Sequence, residues 1–196
     1  DDVDILYFPT GGGKTEAFLG IIVFNLFFDR IRGKNHGVTA ILKYPLRLLS
    51  IQQVQRLAGI LASAELIRRD NLGGKHSFSL GYYTGDANTP NEITEQQMQK
   101  YAEMPQRQLN EEMRILDKCP YCGGESLYIH ANIEQHKLEH RCSNKECSSK
   151  GVLPLYIVDN EIYRYLPSVI ISTIDKMAAI GFQRNFRSLL CGADKY

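Results

Sequence analysis

The sequence has almost no excess of either charge: 23 Lys and Arg stand against 22 Asp and Glu, a formal net charge of +1 over 196 residues. So close a balance excludes a strongly basic surface, and any contact with nucleic acid has to come from local groups. Long hydrophobic runs are missing too. The longest apolar stretch, Phe18 to Phe28, is interrupted by Gly20 and Asn25 and is too short to cross a bilayer, which takes about 20 apolar residues. A buried helix is expected there, and no membrane partner. Repeats, low-complexity segments and long linkers are also absent, which excludes a solenoid or an array of linked modules.

What is present fits one globular α/β domain with a small appendage, since 43% of the residues are hydrophobic and 23% charged. Ile5 to Phe8 reads as a short strand, followed by a glycine loop and a long helix. Val38 to Tyr44 reads as the next strand. Ser50 to Arg69 reads as a helix with Ile51, Val54, Leu57, Ala58 and Leu61 on one face and Gln52, Gln53, Gln55 and Arg56 on the other. Phe78 to Tyr83 is a third strand, and a helical stretch from about Asn91 to Leu116 is expected to break at Pro105. After a change of pattern between Lys118 and Lys150, which contains the strand-like Leu127 to Ala131, the alternation resumes at Leu155. Ser168 to Ser172 is then a strand that runs into a helix. Strands alternating with helices predict a parallel sheet flanked by helices.

Phe8-Pro9-Thr10-Gly11-Gly12-Gly13-Lys14-Thr15 follows the phosphate-loop pattern except that Phe8 occupies the place of its first glycine. Successive glycines let backbone N–H groups turn toward phosphate oxygens, and a helix starting near Lys14 adds its positive end. In such a loop Lys14 contacts the β- and γ-phosphates and the Thr15 hydroxyl ligates magnesium. A plain glycine turn between strand and helix would require neither the lysine nor the hydroxyl.

Four of the five cysteines form two close pairs, Cys119 with Cys122 and Cys142 with Cys147, separated by nineteen residues. In a chain with no signal-peptide pattern, such pairs read as metal binding before disulfides, and a reducing, cytoplasmic setting is expected. Two pairs joined by a hairpin-length spacer assemble four thiolates tetrahedrally around zinc, and Gly123 and Gly124 allow the tight turn that aims backbone amides at sulfur. An insertion this short is expected to depend on metal for much of its folding and to form a folding unit of its own. Four thiolates leave no open position for water, so a scaffold is expected and not a catalytic zinc. His130, His136 and His140 could substitute as ligands, but the cysteines already complete the sphere, and the histidines read as surface residues first and as nucleic-acid contacts second. Lys137, His140, Arg141, Lys145 and Lys150 are interspersed with Glu134, Glu139 and Glu146, which does not make a clear basic reader. Cys191 reads as a buried or free thiol, or as part of a further metal cluster.

Pro9-Thr10-Gly11-Gly12-Gly13-Lys14-Thr15-Glu16 resembles motif I of superfamily 2 helicases, in which the first glycine of the general pattern is commonly replaced. Pro45-Leu46-Arg47-Leu48-Leu49-Ser50-Ile51-Gln52 is similar to that family's motif Ia, with Leu46 in place of its threonine. Thr84-Gly85-Asp86 resembles motif Ib, and Ile171-Ser172-Thr173-Ile174-Asp175-Lys176-Met177 the Thr-Pro-x-x-Leu segment, with Ile174 in place of the proline. Together with the cysteine-rich insertion, these look most like the DrmA family of DISARM antiphage helicases. The resemblance implies a RecA-like motor domain in two parts, residues 1–117 and 151–196, around a zinc ribbon at 118–150. It implies ATP and magnesium held by Thr10, Gly11, Gly12, Gly13, Lys14, Thr15 and Glu16, and zinc in the ribbon. It further implies a nucleic-acid strand, DNA for choice, held by Arg47, Gln52, Thr84, Gly85 and Thr173, and protein partners in a defence complex. Such contacts go to phosphates and sugars and do not read sequence. For each of those residues an ordinary role stands beside this one: a surface ion pair for Arg47, solvation for Gln52, a helix cap for Thr173.

A superfamily 2 motor also needs an acidic Asp-Glu pair, an adenine-recognition segment and a second motor domain with an arginine finger. None is found in these residues, so the chain is expected to be part of a motor domain that binds nucleotide weakly and alone hydrolyses it negligibly. Asp159-Asn160-Glu161 precedes the Thr173 segment, where that pair should follow it, and reads as a turn; Asn110-Glu111-Glu112 reads as a solvated helix face. Two other readings remain open: a P-loop phosphotransferase, and a zinc-ribbon interaction module on an inactive nucleotide-binding scaffold.

Overall fold

In the computed structural model, residues 13–45, 47–74, 76–85, 89–178, 185–186 and 189 are described, the side chains of 47–49 excepted. The expected strand at 5–8, as well as Thr10, Gly11, Gly12, Leu46, Asp86 and Cys191, lie outside them. The elements in chain order are α1 (Lys14–Ile31), β1 (Ala40–Tyr44), α2 (Arg47–Asn71), β2 (Leu80–Tyr83), α3 (Glu95–Glu103), α4 (Gln106–Met113), β3 (Leu127–Asn132), β4 (Lys137–Cys142), β5 (Leu155–Tyr156), α5 (Asp159–Tyr165), β6 (Val169–Thr173) and α6 (Ile174–Ala178). Four of the strands make a parallel sheet in the order β1-β6-β2-β5, and β3 and β4 form a separate antiparallel pair. Parallel strands cannot be joined by a tight turn, so helices carry the crossovers: α2 from β1 to β2, and α5 from β5 to β6.

Alternate residues of the sheet go to opposite faces, and both faces are covered. Leu80, Tyr82, Val169 and Ile171 pack with Leu19, Ile22 and Leu26 of α1 and Val54, Leu57 and Leu61 of α2. Tyr83 and Ile170 pack with Ile162, Leu166, Phe186 and Leu189 on the other side. Gly81 is where α5 and its following turn come closest to β2. A Cβ there would stand 2.7 Å from Pro167 Cγ and 3.4 Å from Ile162 Cγ1, so no larger residue fits without displacing them.

The helical stretch begins at Glu95 and not at Asn91, because Thr94 and Gln97 form a capping box. The Gln97 N–H donates to Thr94 Oγ1 at 3.2 Å and the Thr94 N–H to Gln97 Oε1 at 2.8 Å. It breaks at Pro105, as expected, which separates α3 from α4. Two expectations are corrected. Although α1 buries Leu19, Ile22 and Leu26, it leaves Phe18, Ile21, Phe24, Phe28 and Ile31 exposed among the described residues, so it is not a helix buried all round. Its three buried positions form one stripe against the sheet, and nothing described covers the opposite face. Asp159-Asn160-Glu161 is not a turn but the first turn of α5, with both acids buried.

The ribbon is not packed as a unit apart. Leu127, Ile129, Ala131 and Leu138 belong to the same apolar cluster as Leu153, Leu155, Val169 and Ile171. Side chains of the surrounding helices bond directly to its backbone. Gln106 Nε2 donates to the Ile129 carbonyl at 2.8 Å, and Asn110 Oδ1 accepts the Ile129 N–H at 2.8 Å. Gln55 accepts from the Asp117 N–H at 3.0 Å and donates to the Lys118 carbonyl at 3.0 Å.

Glu161 joins α5 to β4 by accepting the Leu138 N–H on Oε1 at 2.8 Å, while its Oε2 is buried without a hydrogen-bond partner among the described residues. Burial pushes its carboxyl up to about 7, against the opposing pull of the Leu138 amide and Lys137. The folded state therefore holds a proton that the unfolded chain, with a glutamate pKa of about 4.3, has already released. Stability from this group is full below pH 4.3 and falls as pH rises to about 7, by as much as about 4 kcal/mol. Glu161→Gln keeps the acceptor and mimics the protonated acid. It should be more stable than the parent at pH 8 and nearly equal at pH 4.5, as read by urea melts; parallel pH profiles would refute this.

Candidate phosphate loop, strand edge and metal centre

Gly13 caps α1 with φ 78°, a left-handed conformation that favours glycine, and its carbonyl accepts the Ala17 N–H at 3.0 Å. Lys14 and Thr15 open the helix, so their N–H groups are among those that lack an intrahelical acceptor. Both side chains line a cleft of about 450 Å³ between the start of α1 and β1, which reaches Lys43 and Tyr44 at the carboxyl end of the strand. Lys14 is exposed and makes no hydrogen bond or ion pair among the described residues. Glu16 is bound by the Arg56 guanidinium, whose hydrogen bond holds the carboxyl below the usual carboxylate range. The pair ties the first turn of α1 to α2 and had no local signal, because its members are 40 residues apart.

The parallel register brings the expected strand-contact segments to one edge of the sheet. Tyr44 is opposite Thr173, and Tyr83 opposite Ser172, so the ends of β1, β6 and β2 lie side by side. Arg47 opens α2 just beyond β1, while Thr84 and Gly85 follow β2 directly. Gly85 has φ 97°, and the Thr84 Oγ1 is buried without a hydrogen-bond partner among the described residues. Thr173 is buried and its Oγ1 accepts the Lys176 N–H at 3.4 Å, the geometry of a helix cap. Gln52, in α2, is exposed. Lys176, to which sequence reasoning gave no role, is pinned at this edge: its Nζ lies 2.6 Å from Asp159 Oδ2, 2.7 Å from Asn91 Oδ1 and 4.8 Å from the centre of the Tyr83 ring.

The four cysteine sulfurs lie within 4.8 Å of one another. Cys119 Sγ is 3.6 Å from Cys147 Sγ, and Cys122 Sγ is 3.8 Å from Cys142 Sγ. These separations are far beyond a disulfide bond of about 2.05 Å and match the edge of a tetrahedron with zinc–sulfur bonds of about 2.3 Å, which is about 3.8 Å. The turn that carries the first pair is closed by the Gly123 N–H to Cys119 carbonyl bond at 2.8 Å, with Gly123 at φ 71°. The Gly124 amide holds the exposed Cys122 thiol down at about 7, whereas burial pushes Cys119 up to about 12. A cation at the centre would reverse that burial effect, because the thiolate is the ligand form. The donor set thus fits zinc, with Cys119, Cys122, Cys142 and Cys147 as its ligands.

The histidines of the ribbon are corrected in part. His130 is exposed, but His140 is wholly buried, and its Nε2 accepts the Ile115 N–H at 3.4 Å. Burial, with Arg114 nearby, pushes its pKa down to about 3, so it is a neutral packing residue. His136 turns the hairpin with φ 51° and its Nε2 is 2.6 Å from the Ile93 carbonyl. Lys137 and Glu139 are also buried, because β4 packs beside β5 and is bonded to α5 through Glu161.

No family model matches the chain. It is 35% identical, over 212 residues covering 99% of its length, to the DISARM protein DrmA of Bacillus paralicheniformis. The chain is thus similar to one part of a DrmA protein. The chain spans about one fifth of that relative, 19% of its length, and the alignment takes in the Lys14 loop, the ribbon and the Thr173 strand alike. No helix among the described residues is long and apolar enough to cross a membrane.

Proposed function

We propose that this chain is the phosphate-binding and strand-contacting part of an ATP-driven DNA helicase or translocase that acts in DISARM antiphage defence. The observation that carries the reading is Lys14 and Thr15, just after Gly13 at the start of α1, lining a cleft at the carboxyl end of β1, where a phosphate would meet free N–H groups and an ammonium unpaired among the described residues. Thr10, Gly11, Gly12 and Gly13 would supply amides, Lys14 the charge on the β- and γ-phosphates, and Thr15 the hydroxyl for magnesium. Glu16, bound to Arg56, would fix the helix start. Arg47, Gln52, Thr84, Gly85 and Thr173 would hold a sugar-phosphate backbone, and the register that aligns the ends of β1, β6 and β2 supports their acting together. The division into motor residues 1–117 and 151–196 with a ribbon at 118–150 is retained for function, and the ribbon's zinc would be structural. Similarity to a DISARM protein supports the defence role and further protein partners.

ATP hydrolysis by the full-length protein, measured with and without single-stranded DNA, tests this. A motor requires turnover to rise severalfold with DNA. Turnover indifferent to DNA, with phosphate passed to a small acceptor, would assign the loop to a phosphotransferase instead.

A further inference from the structure

At the opposite edge of the sheet, where the parallel strands begin, a cavity of about 390 Å³ is walled by Ser79, Pro154 and Ser168 just ahead of β2, β5 and β6. Arg30, Arg69, Lys137, His36, His76 and Tyr156 also line it, and no Asp or Glu does so among the described residues. The carboxylates behind these cations are already engaged. Asp29 holds Lys34 at 2.8 Å, and Glu65 binds Arg68 at 2.8 Å as well as Arg69 at 2.9 Å, whose Nη1 also donates to the Ser148 carbonyl at 2.8 Å. Glu139 binds Arg141 at 2.9 Å, which leaves it a looser 3.8 Å from Lys137.

Arg30 gives its Nη1 to the Lys34 carbonyl at 2.8 Å and has a buried Nε without an acceptor among the described residues. Burial, and then the charge of Arg68, lower its pKa, against the opposing pull of Asp29 and Glu65. Tyr156 and Tyr165 stack 4.9 Å apart, with Lys137 Nζ 5.1 and 5.3 Å from their ring centres. Three cations thus converge with partial compensation on a space at the lower end of the range for small-molecule sites, roughly 300–1,000 Å³.

We propose that this cavity binds a small phosphate-bearing anion, of the size of pyrophosphate or a mononucleotide, at a site separate from the Lys14 loop. The guanidinium groups of Arg30 and Arg69 favour phosphate through the N–H donors left beyond their bonds to the protein, and the ammonium adds a point charge. Tyr156 and Tyr165 add an aromatic wall to the cavity. The inference does not depend on the motor reading, since no residue of the Lys14 loop or the strand edge takes part.

The test is calorimetric titration of sodium pyrophosphate and AMP into full-length protein carrying Lys14→Ala, which disables the other phosphate site. Binding is expected, and Arg30→Gln or Lys137→Gln should weaken it roughly ten- to hundredfold, the loss of one charge-assisted hydrogen bond. Hydrogen exchange on the Lys14→Ala protein guards against misfolded double variants: pyrophosphate should slow exchange at residues 76–79 and 152–156. No binding and no protection, or affinity unchanged in both folded variants, would overturn the proposal. So would a single-stranded oligonucleotide that protects these residues when neither small anion does.

Discussion

Cys142→Ser should remove one zinc per chain and lower the melting temperature of the whole domain by at least about 10 °C. Structural zinc in small modules contributes an apparent 10–16 kcal/mol, of the same order as the total stability of a domain. Loss of even about 4 kcal/mol corresponds to roughly 10 °C or more at this chain length. Read from sequence alone, the ribbon would fold as its own unit and such a loss would stay local. The packing argues otherwise. Cys119, Cys142 and Cys147 are buried in the cluster that also contains Leu153, Leu155 and Val169, and Gln55, Gln106 and Asn110 bond to the ribbon backbone from α2 and α4. Releasing the cysteines would therefore expose apolar surface of the sheet's own core. Elemental analysis and circular dichroism melts of full-length protein, parent and variant, would show it; a zinc-free variant that melts with the parent would restore the local picture.

Lys14→Ala should reduce ATP turnover by the full-length protein at least about a hundredfold, the scale of losing one charged donor to a developing phosphate charge. Stability should change by no more than about 0.5 kcal/mol, because the side chain is exposed and pairs with nothing described. That combination separates a phosphate contact from a structural lysine. Turnover retained within a factor of two would mean that hydrolysis occurs at another loop.

The elements most legible in the sequence were those with local causes. Pro105 broke the helix where it stands, and the cysteine spacing placed four sulfurs that meet within 4.8 Å. The alternating strands gave the parallel sheet. What escaped depends on partners remote in sequence. His140 is buried because β4 packs under the segment after α4, which the alternating charges around it did not foretell. Asp159 looked like a turn residue until Lys176, seventeen positions on, closed the ion pair that α5 and α6 share. Gln55 appeared as the polar back of α2, yet its amide holds residues 117 and 118, more than 60 positions away. The apolar outer face of α1 escaped for a related reason: hydrophobicity indicates that a surface needs cover but not whether the neighbouring elements supply it.

On the proposed function, a nucleotide at Lys14 and a DNA strand at Arg47, Thr84 and Thr173 would be coupled across one sheet. The most direct measurement is the affinity of full-length protein for single-stranded DNA with and without a non-hydrolysable magnesium–ATP analogue, in the parent and in Lys14→Ala. Coupling of the usual size, about 1–3 kcal/mol, predicts a 5- to 150-fold nucleotide-dependent change in DNA affinity for the parent and none for the variant. Equal DNA affinities with and without nucleotide in the parent would contradict it.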